Sequence, residues 1–309
     1  MGRDRWRLLV TRGLRGSLNM AIDHVLAATA KPGSSPVLRL YDWNPPAISL
    51  GFHQRASDID LSRARDCGID VVRRPTGGRA VLHAEELTYS LVVPAGPSSF
   101  SPRPHQVYQT ASHCFRRALA LLGLPAELET SERGQSPPAR SVGGIPCFAA
   151  SARHELKLHG KKILGSAQRR YPGAVLQHGS LLLGPAHLKL TSFLSLGEEE
   201  KRRLHELLRL RTACLQEAVG RSFSFEEVAT AVVTAFREEL GIDFAFEGLS
   251  EEEFSLARQQ EASFVVEGGD RHAEDVGDRV GHFALRRDFS WSAGFPLRHL
   301  LAPGDRCEG

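Results

Sequence analysis

The chain has 309 residues, of which 41% are hydrophobic and 24% charged, a globular composition that excludes disordered, collagen-like and coiled-coil proteins. Lysine and arginine total 39 against 36 aspartate and glutamate, and a net charge of +3 does not indicate a nucleic-acid partner. The five cysteines are an odd number without a CxxC pair, which excludes a disulfide framework and a zinc ribbon.

The start of the chain and its apolar windows predict the compartment. Among the first ten residues only Leu8, Leu9 and Val10 form an apolar run, which is too short for the core of a signal peptide. No window approaches the ~18 apolar residues of a membrane span. We therefore expect a soluble cytoplasmic protein with no membrane partner.

The first half of the chain predicts a helix followed by short strands. Residues 17–29 carry apolar side chains at helical spacing behind Ser17, a residue type favoured as an N-cap. A strand-rich stretch broken by proline and glycine follows. Its predicted strands are 37–43, 47–52, 71–74, 80–83 and 87–93, and a short helix is predicted over 60–67.

The middle of the chain predicts a long helix, a loop and three strands. Residues 106–122 repeat apolar side chains with a period of 3.6 and end at Gly123, a typical C-cap residue. Residues 130–144 are rich in proline, glycine and serine without a period, which predicts a loop. Strands are then predicted over 154–158, 162–168 and 174–183.

The remaining sequence predicts helices and then loses its pattern. The charged run at 198–203 is expected on a solvated helix face, and Ser224 with Glu227 predicts a capping box for a helix closed by Gly241. Strands flanked by helices, without internal repeats, indicate one α+β (mixed α/β) domain over 1–262. Residues 263–309 form an atypical C-terminal tail.

Several familiar motifs are absent from the sequence. The HELKLH run has one residue too many for a metalloprotease HExxH and alternates like a strand, and GKK at 160–162 lacks the rest of a P-loop. GxSxG and GxGxxG do not occur. We predict neither a metal site nor a bound cofactor.

The segment RRPTGGRAVLH at 73–83 stands out between two predicted strands. Its adjacent glycines free the backbone for a tight turn, while its three arginines supply positive charge around the opening. Such a loop suits an acidic or phosphorylated ligand. An ordinary strand connection with exposed arginines fits the same residues, and spacing alone does not choose between them.

Cys147 and Lys162 are candidates for nucleophilic chemistry. Cys147 follows a Gly-rich loop and Pro146 rather than lying on a helix stripe, and Lys162 shares one face of a predicted strand with Ser166. A lysine ammonium within ~4 to 6 Å of a thiol stabilises the thiolate and lowers the pKa of the thiol. A structural cysteine and a surface lysine fit the same residues.

Gln177 and His178 lie in an apolar predicted strand, where a polar group costs free energy unless it is hydrogen-bonded. They either line a site or form a solvent-facing pair on a half-exposed strand. The residues alone leave both interpretations open.

Five linked motifs occur in order: RRPTGGRAVLH, ELTYS at 86–90, PCF at 146–148, GKKILGSAQ at 160–168 and LQHGS at 176–180. Together they resemble the biotin/lipoate A/B protein ligase family over about residues 17–250, and within it the octanoyltransferases that use a Cys/Lys pair. The lipoate-ligase branch usually reads RRxxGGG, whereas Arg79 stands at the third glycine here. The resemblance implies a class II synthetase-like domain with a central, mostly antiparallel sheet flanked by helices.

The resemblance also implies roles for individual residues. Cys147 would be the acyl-thioester nucleophile and Lys162 the residue that lowers its pKa. An apolar slot from Val81, Leu164 and Val175 or their neighbours would hold the acyl chain. The expected substrate-binding residues are Arg73, Arg74, Thr76, Gly77, Gly78, Arg79, His83, Gly165, Ser166, Ala167, Gln177 and His178.

The implied reaction moves octanoyl from octanoyl-acyl carrier protein to a lysine of a lipoyl domain, such as glycine-cleavage H protein, by a monomeric enzyme without ATP. Three alternatives stay open: an octanoyl amidotransferase between lipoyl domains, an ATP-dependent lipoate-protein ligase, and a non-catalytic acyl-carrier binding protein. Two features depart from the family, namely His24, where an acidic residue is usual, and residues 263–309.

Overall fold

The computed structural model describes residues 4–96, 103–129 and 155–267, so the predicted loop at 130–144, Cys147 and the tail from residue 268 lie outside it. The strands are, in chain order, β1 (Arg5–Leu14), β2 (Val37–Trp43), β3 (Ala47–Leu50), β4 (Asp70–Arg73), β5 (Val81–His83), β6 (Glu86–Pro94), β7 (Glu127–Leu128), β8 (Leu156–Leu158), β9 (Lys161–Lys162), β10 (Leu164–Arg170), β11 (Ala174–Leu182) and β12 (Asp243–Phe246). The α-helices are α1 (Gly16–Ala28), α2 (Leu61–Asp66), α3 (Pro104–Leu121), α4 (Glu198–Arg211), α5 (Leu215–Val219), α6 (Phe225–Leu240) and α7 (Glu251–Gln260).

A six-stranded sheet forms the centre of the molecule, in the order β10, β11, β6, β2, β1, β12. Neighbours from β10 to β2 are antiparallel, whereas β1 runs parallel to both β2 and β12. Two small sheets flank it, with the orders β4, β3, β5 and β7, β8, β9. The predicted α+β fold with a mostly antiparallel central sheet is confirmed.

Helices cover both faces of the central sheet, and its inner strands are therefore apolar on both sides rather than alternating. Along β2, Leu38 and Leu40 belong to the core shared with α3 and α6, whereas Val37 and Tyr41 belong to the core shared with α1. Burying one such side chain contributes roughly 2 kcal/mol. The polar site described below lies on the α1 side of the sheet.

Two of the predicted helix caps differ from the structure. Ser17, predicted as the N-cap of the first helix, lies buried within α1 and donates to Glu261, while Arg15 takes the cap position. Ser224 does accept from the Glu227 backbone at the start of α6, but the Glu227 carboxylate binds Arg221 instead of completing a capping box. A charged partner outside the helix competes successfully for that carboxylate.

The residues after β12 return to α1 and close its outer face. Phe264 is 3% exposed and contacts the His24 ring, while Val265 forms a β-bridge with Val72. His24 also bonds the Tyr171 hydroxyl at 2.9 Å, and burial lowers its pKa to about 4, so its ring is neutral near pH 7. The predicted boundary at residue 262 stays a prediction. No described helix combines the length and apolar character needed to cross a membrane.

Candidate functional site

A small cavity of about 40 Å³ lies between α1, the central sheet and the sheet formed by β4, β3 and β5. Its lining residues are Met20, Tyr41, Trp43, Ser49, Arg74, Val81, His83, Thr88, Gly165, Ser166, Ala167, His178, Gly179 and Ser180. The loop at 73–83 and the strand that follows Lys162 therefore both contribute residues to this cavity. Of the three residues expected to hold the acyl chain, Val81 lines this cavity, whereas Leu164 and Val175 pack in the core with α3.

The loop after β4 is folded around the Arg74 guanidinium, which is buried. This group donates to the carbonyl oxygen of Ser49 at 3.0 Å and to those of Gly77 and Arg79 at 2.8 Å each. Three backbone carbonyls are thereby held by one side chain. The bidentate geometry needs arginine, because a lysine ammonium lacks the planar fork.

Arg73 is also committed to the backbone, since it donates to the carbonyl oxygens of Gly51, Phe52 and Gln54. The guanidinium groups of Arg73 and Arg74 thus hold the backbone of the loop and of the segment at 49–54. Their role in substrate binding stays a prediction. Of the loop's three arginines, Arg79 is the exposed one.

Close approach of two backbone segments explains Gly78 of this loop and Gly51 opposite it. Gly78 has φ of +100°, a conformation that side chains rarely adopt. A Cβ added to Gly51 would lie 2.0 Å from the Gly78 carbonyl oxygen. The segment at 51–54 therefore packs directly against Gly78, which shapes the loop, whereas a Cβ added to Gly77 would meet nothing within 4 Å.

His178 connects the loop to α1 through a buried polar chain. Its Nε2 lies 2.6 Å from Thr76 Oγ1 and its Nδ1 3.0 Å from Asp23 Oδ2. Burial lowers the pKa of His178, so the ring is neutral at neutral pH. The Asp23 carboxylate can only accept, which places the proton on Nδ1 and leaves Nε2 to accept from Thr76.

Asp23 is the negatively charged member of this hydrogen-bonded series, and its side chain is fully buried. It accepts from Arg39 at 2.7 Å and from Tyr41 at 2.8 Å, and both members of the Asp23–Arg39 pair are 0% exposed. Burial alone raises the pKa of Asp23, but the Arg39 charge and the hydrogen bond from His178 outweigh it, and the net shift is downward. The carboxylate is therefore ionised at neutral pH.

Gln177 serves a different chain from its neighbour His178, because adjacent residues of a strand face opposite sides of the sheet. Its Nε2 donates to Tyr89 Oη at 2.7 Å, and its Oε1 accepts from Gln168 at 2.6 Å. Gln177 and His178 are 1% and 5% exposed, which excludes the solvent-facing interpretation. Tyr89 Oη also lies 2.7 Å from Ser166 Oγ at the cavity wall.

A second buried carboxylate, Glu86, lies behind His83. His83 Nδ1 is 2.7 Å from Glu86 Oε1, and His83 Nε2 is 2.7 Å from Ser49 Oγ. The His83 ring stacks on Trp43 with centroids 4.0 Å apart. Burial raises the pKa of Glu86, yet His83 and the surrounding donors outweigh it and the net shift is downward. His83 is thus held rigidly on the cavity wall.

Lys162 is almost fully buried, at 8% exposure, and its Nζ donates to Glu155 Oε1 at 2.6 Å. The strand predicted over 162–168 is divided at Ile163: Lys162 belongs to β9, which pairs with β8, whereas β10 begins at Leu164 and pairs with β11. The expected alternation of Lys162 and Ser166 on one strand is therefore wrong. The predicted partner of Lys162, Cys147, lies outside the described residues.

The structure adds residues to the site to which the sequence analysis assigned no role: Asp23, Glu86, Tyr89, Glu155 and Gly179. Glu86, Tyr89 and Gly179 lie within the motifs ELTYS and LQHGS. Asp23 had a usable signal, because an acidic side chain interrupts the apolar stripe of the first helix. Glu155 lies in the HELKLH run, whose alternation predicts a strand. That alternation does not predict the hairpin that brings Glu155 to Lys162. No group of three potential metal-binding side chains occurs within the described residues.

Replacing Gly179 with alanine is expected to destabilise the protein by about 1–3 kcal/mol, because the new methyl group overpacks the cavity wall. The added Cβ would lie 2.4 Å from the Gly165 carbonyl oxygen and 2.7 Å from Ser166 Oγ. Urea denaturation measures the change. Gly248→Ala is the matched control, since a Cβ there meets no described atom within 4 Å. Equal stability of the two variants would contradict the close packing.

Comparison with known proteins identifies similar chains. The model of the lipoyl protein ligase A/B catalytic domain matches residues 15–237. Octanoyltransferase LipM of Exiguobacterium sp. is 39% identical over 242 residues, covering 77% of this chain and 88% of that protein. Octanoyltransferase LipM of Symbiobacterium thermophilum is 36% identical over 270 residues, covering 85% and 94%.

Solved structures of the same kind superpose on the chain. A bipartite lipoate protein ligase from Thermoplasma acidophilum aligns with a TM-score of 0.67 and 25% identity, over 84% of this chain and 92% of that one. A lipoate-protein ligase A bound with ATP aligns with a TM-score of 0.65 and 28% identity, over 84% and 94%. Fold and sequence thus point to the same group of proteins.

Proposed function

Because this chain belongs to the lipoyl protein ligase A/B catalytic-domain family, we propose that it transfers octanoyl from octanoyl-acyl carrier protein to a lysine of a lipoyl domain, such as glycine-cleavage H protein. The chain is an acyltransferase, the class of its curated relatives. The observation that carries the proposal is its similarity to octanoyltransferases over most of their length. Arg79, in place of the third glycine of the ligase loop, favours transfer without ATP.

The proposed reaction has two half-reactions that share one thioester. The Cys147 thiolate attacks the octanoyl carbonyl carbon, a carbon–sulfur bond forms, and the phosphopantetheine thiolate leaves and takes up a proton. The acceptor lysine then attacks the same carbon as a free amine, the Cys147 thiolate leaves, and the nitrogen loses a proton. The amide is more stable than the thioester, so no nucleotide is consumed.

The cavity supports this assignment by its place and by its walls. Val81, Gly165 and Ala167 offer apolar or small surfaces to an acyl chain, which gains ~0.8 kcal/mol for each buried CH₂ group. Lys162 precedes the cavity strand β10 and carries the charge that the proposal assigns to thiolate stabilisation. Arg79, at the exposed end of the loop, suits the acidic surfaces of carrier and acceptor domains.

Intact-mass spectrometry tests both half-reactions. The purified protein is mixed with octanoyl-acyl carrier protein in the absence of ATP, and apo H protein is added afterwards. We expect one octanoyl mass on the enzyme, located at Cys147, which disappears as the H protein gains the same mass. An unmodified enzyme would refute this donor.

The alternative functions give different results in the same assay. An amidotransferase acquires the octanoyl mass from octanoyl-H protein rather than from the acyl carrier protein. A lipoate ligase releases AMP when given ATP and free lipoate. A non-catalytic binding protein holds the carrier but never gains a covalent acyl group.

Replacing Lys162 with alanine is expected to raise the pKa of the Cys147 thiol, because the ammonium that favours its thiolate is removed. The alkylation rate of Cys147 at pH 7 should fall by about tenfold or more. Peptide mass spectrometry measures the alkylation of Cys147 separately from that of the exposed Cys67, which provides an internal reference. Lys161→Ala is the control, since Lys161 bonds the Arg209 carbonyl oxygen. An unchanged Cys147 profile would remove Lys162 from this role.

A further inference from the structure

A chain of hydrogen bonds with a fixed direction ends at the cavity wall. It begins at the Pro104 carbonyl oxygen, which can only accept. Gln168 Nε2 donates to this oxygen at 2.8 Å and to Gln177 Oε1 at 2.6 Å. The Gln177 amide is thereby oriented, and its Nε2 donates to Tyr89 Oη at 2.7 Å.

The direction continues from Tyr89 to Ser166. Tyr89 has one proton, its oxygen already accepts from Gln177, and Ser166 Oγ at 2.7 Å is the remaining partner that the described residues offer. Burial raises the pKa of Tyr89 to about 12, so the phenol keeps its proton. Tyr89 therefore donates to Ser166, and Ser166 retains its own proton for a group in the cavity that it lines.

Three of the other hydroxyl groups that line the cavity donate to buried carboxylates: Ser180 and Thr88 to Glu86, and Tyr41 to Asp23. Ser49 accepts from Arg74 at 3.1 Å, and its Oγ lies 2.7 Å from His83 Nε2. Among the cavity hydroxyls of residues 4–96, 103–129 and 155–267, Ser166 is the one whose partner is neither a carboxylate nor an imidazole.

We propose that Ser166 donates this hydrogen bond to the carbonyl oxygen of the octanoyl group and stabilises the negative charge on that oxygen in both tetrahedral intermediates. The inference rests on the proposed octanoyl transfer. An octanoyl chain has no other hydrogen-bond acceptor, and β10 brings Ser166 to the cavity four residues after Lys162. Ser166 is the catalytic residue, whereas Tyr89 and Gln177 are positioning residues that orient its hydroxyl. No covalent bond to Ser166 forms in either step.

Isotope-edited infrared spectroscopy tests the contact directly. The octanoyl thioester is formed on the enzyme from a donor labelled with ¹³C at the carbonyl carbon, and the carbonyl band is compared among variants. Loss of a hydrogen bond raises the stretching frequency, so Ser166→Ala should move the band upward. Ser180→Ala is the matched control: its hydroxyl also lines the cavity but donates to Glu86, and the band should stay in place.

Single-turnover kinetics supply a second readout. Ser166→Ala should slow formation of the Cys147 thioester by about 10²-fold, while the donor concentration for half-maximal rate changes little. Tyr89→Phe should give an intermediate loss, because Ser166 keeps a hydroxyl that is no longer oriented. Circular dichroism confirms that each variant is folded.

The outcomes separate this inference from the proposed function. A wild-type thioester whose carbonyl band is unmoved in Ser166→Ala would overturn the role of Ser166 and leave octanoyl transfer intact. Failure of the wild-type enzyme to form a thioester with any octanoyl donor would overturn both. An upward shift in Ser166→Ala alone supports both.

Discussion

Replacing Cys147 with alanine is expected to abolish octanoyl transfer, with a loss in kcat/KM of at least about 10³-fold. The proposed reaction carries the acyl group on this sulfur between donor and acceptor, and alanine offers no atom to which it can bind. Transfer of radiolabelled octanoyl from the acyl carrier protein to apo H protein measures the loss. Cys67→Ala, which removes an exposed cysteine to which no role is assigned, should transfer normally.

A serine at position 147 gives a more demanding version of this experiment. The hydroxyl is similar in size to the thiol but is a much weaker nucleophile near neutral pH, so Cys147→Ser should also be inactive. Substantial transfer by Cys147→Ala would exclude the Cys147 thioester as an obligatory intermediate. Transfer by Cys147→Ser alone would instead show that an oxygen ester can take the place of the thioester.

Replacing Asp23 with asparagine is expected to destabilise the fold by about 3–5 kcal/mol, because Arg39 is left as a buried charge without its counter-ion. Both side chains of this pair are 0% exposed. The urea midpoint measures the change. Glu226→Gln breaks the exposed ion pair with Arg12 and should cost less than about 1 kcal/mol. Similar midpoints for the two variants would refute the importance of the buried pair.

The pH dependence of stability should show that Asp23 acts as a charged carboxylate rather than as a neutral hydrogen-bonding group. The pKa of Asp23 is lower in the folded protein than in the unfolded chain, chiefly because Arg39 and His178 outweigh the effect of burial. The stability it contributes is therefore present above the unfolded value near 3.9 and is lost as the pH falls through the folded value. Asp23→Asn should remove that part of the acid dependence, so wild type and variant should converge at low pH.

Strong periodic patterns predicted the framework well. α3 and α6 have an apolar face that repeats every 3.6 residues, and β2, β6 and β11 are apolar runs bounded by proline and glycine. In each case the apolar pattern lies within one continuous stretch of sequence, and that pattern alone is enough to predict the element. The predicted bounds differ from the structure by only a few residues.

Elements stabilised by distant contacts were not predicted. α7 buries Ala257 fully and packs Phe254 and Leu256 partly buried against the core shared with α1. The capping box of Ser250 with Glu253 and the ion pair from Glu253 to Arg7 add to this packing. Its three apolar side chains lie within four positions and do not repeat along the helix. The same holds for the site, where His178 bonds Asp23 across 155 residues of chain. Such pairs appear only when the sheet order is known.

The direction of the loop arginines was likewise beyond the sequence. RRPTGGR places three cations in seven residues, which suits an anion site as well as a folded turn. The carbonyl oxygens that Arg73 and Arg74 bind come partly from the segment at 49–54, which reaches the loop through pairing of β3 with β4. The sequence shows the positive charges of the arginines but not the carbonyl oxygens that accept hydrogen bonds from them.

The parallel pairing of β1 with β12 has a consequence for how a fragment of this protein should be cut. Arg5 pairs with Asp243 and Leu8 with Phe246, so the first and the last strand of the described chain complete one sheet edge together. A fragment trimmed to the matched span, 15–237, would lose both strands and leave β2 with an unpaired apolar edge. Open edges of this kind template aggregation. During synthesis β12 emerges only after almost the whole domain, so β1 gains its second neighbour late. Because this pairing joins residues that are far apart in sequence, it is expected to be a late step in folding.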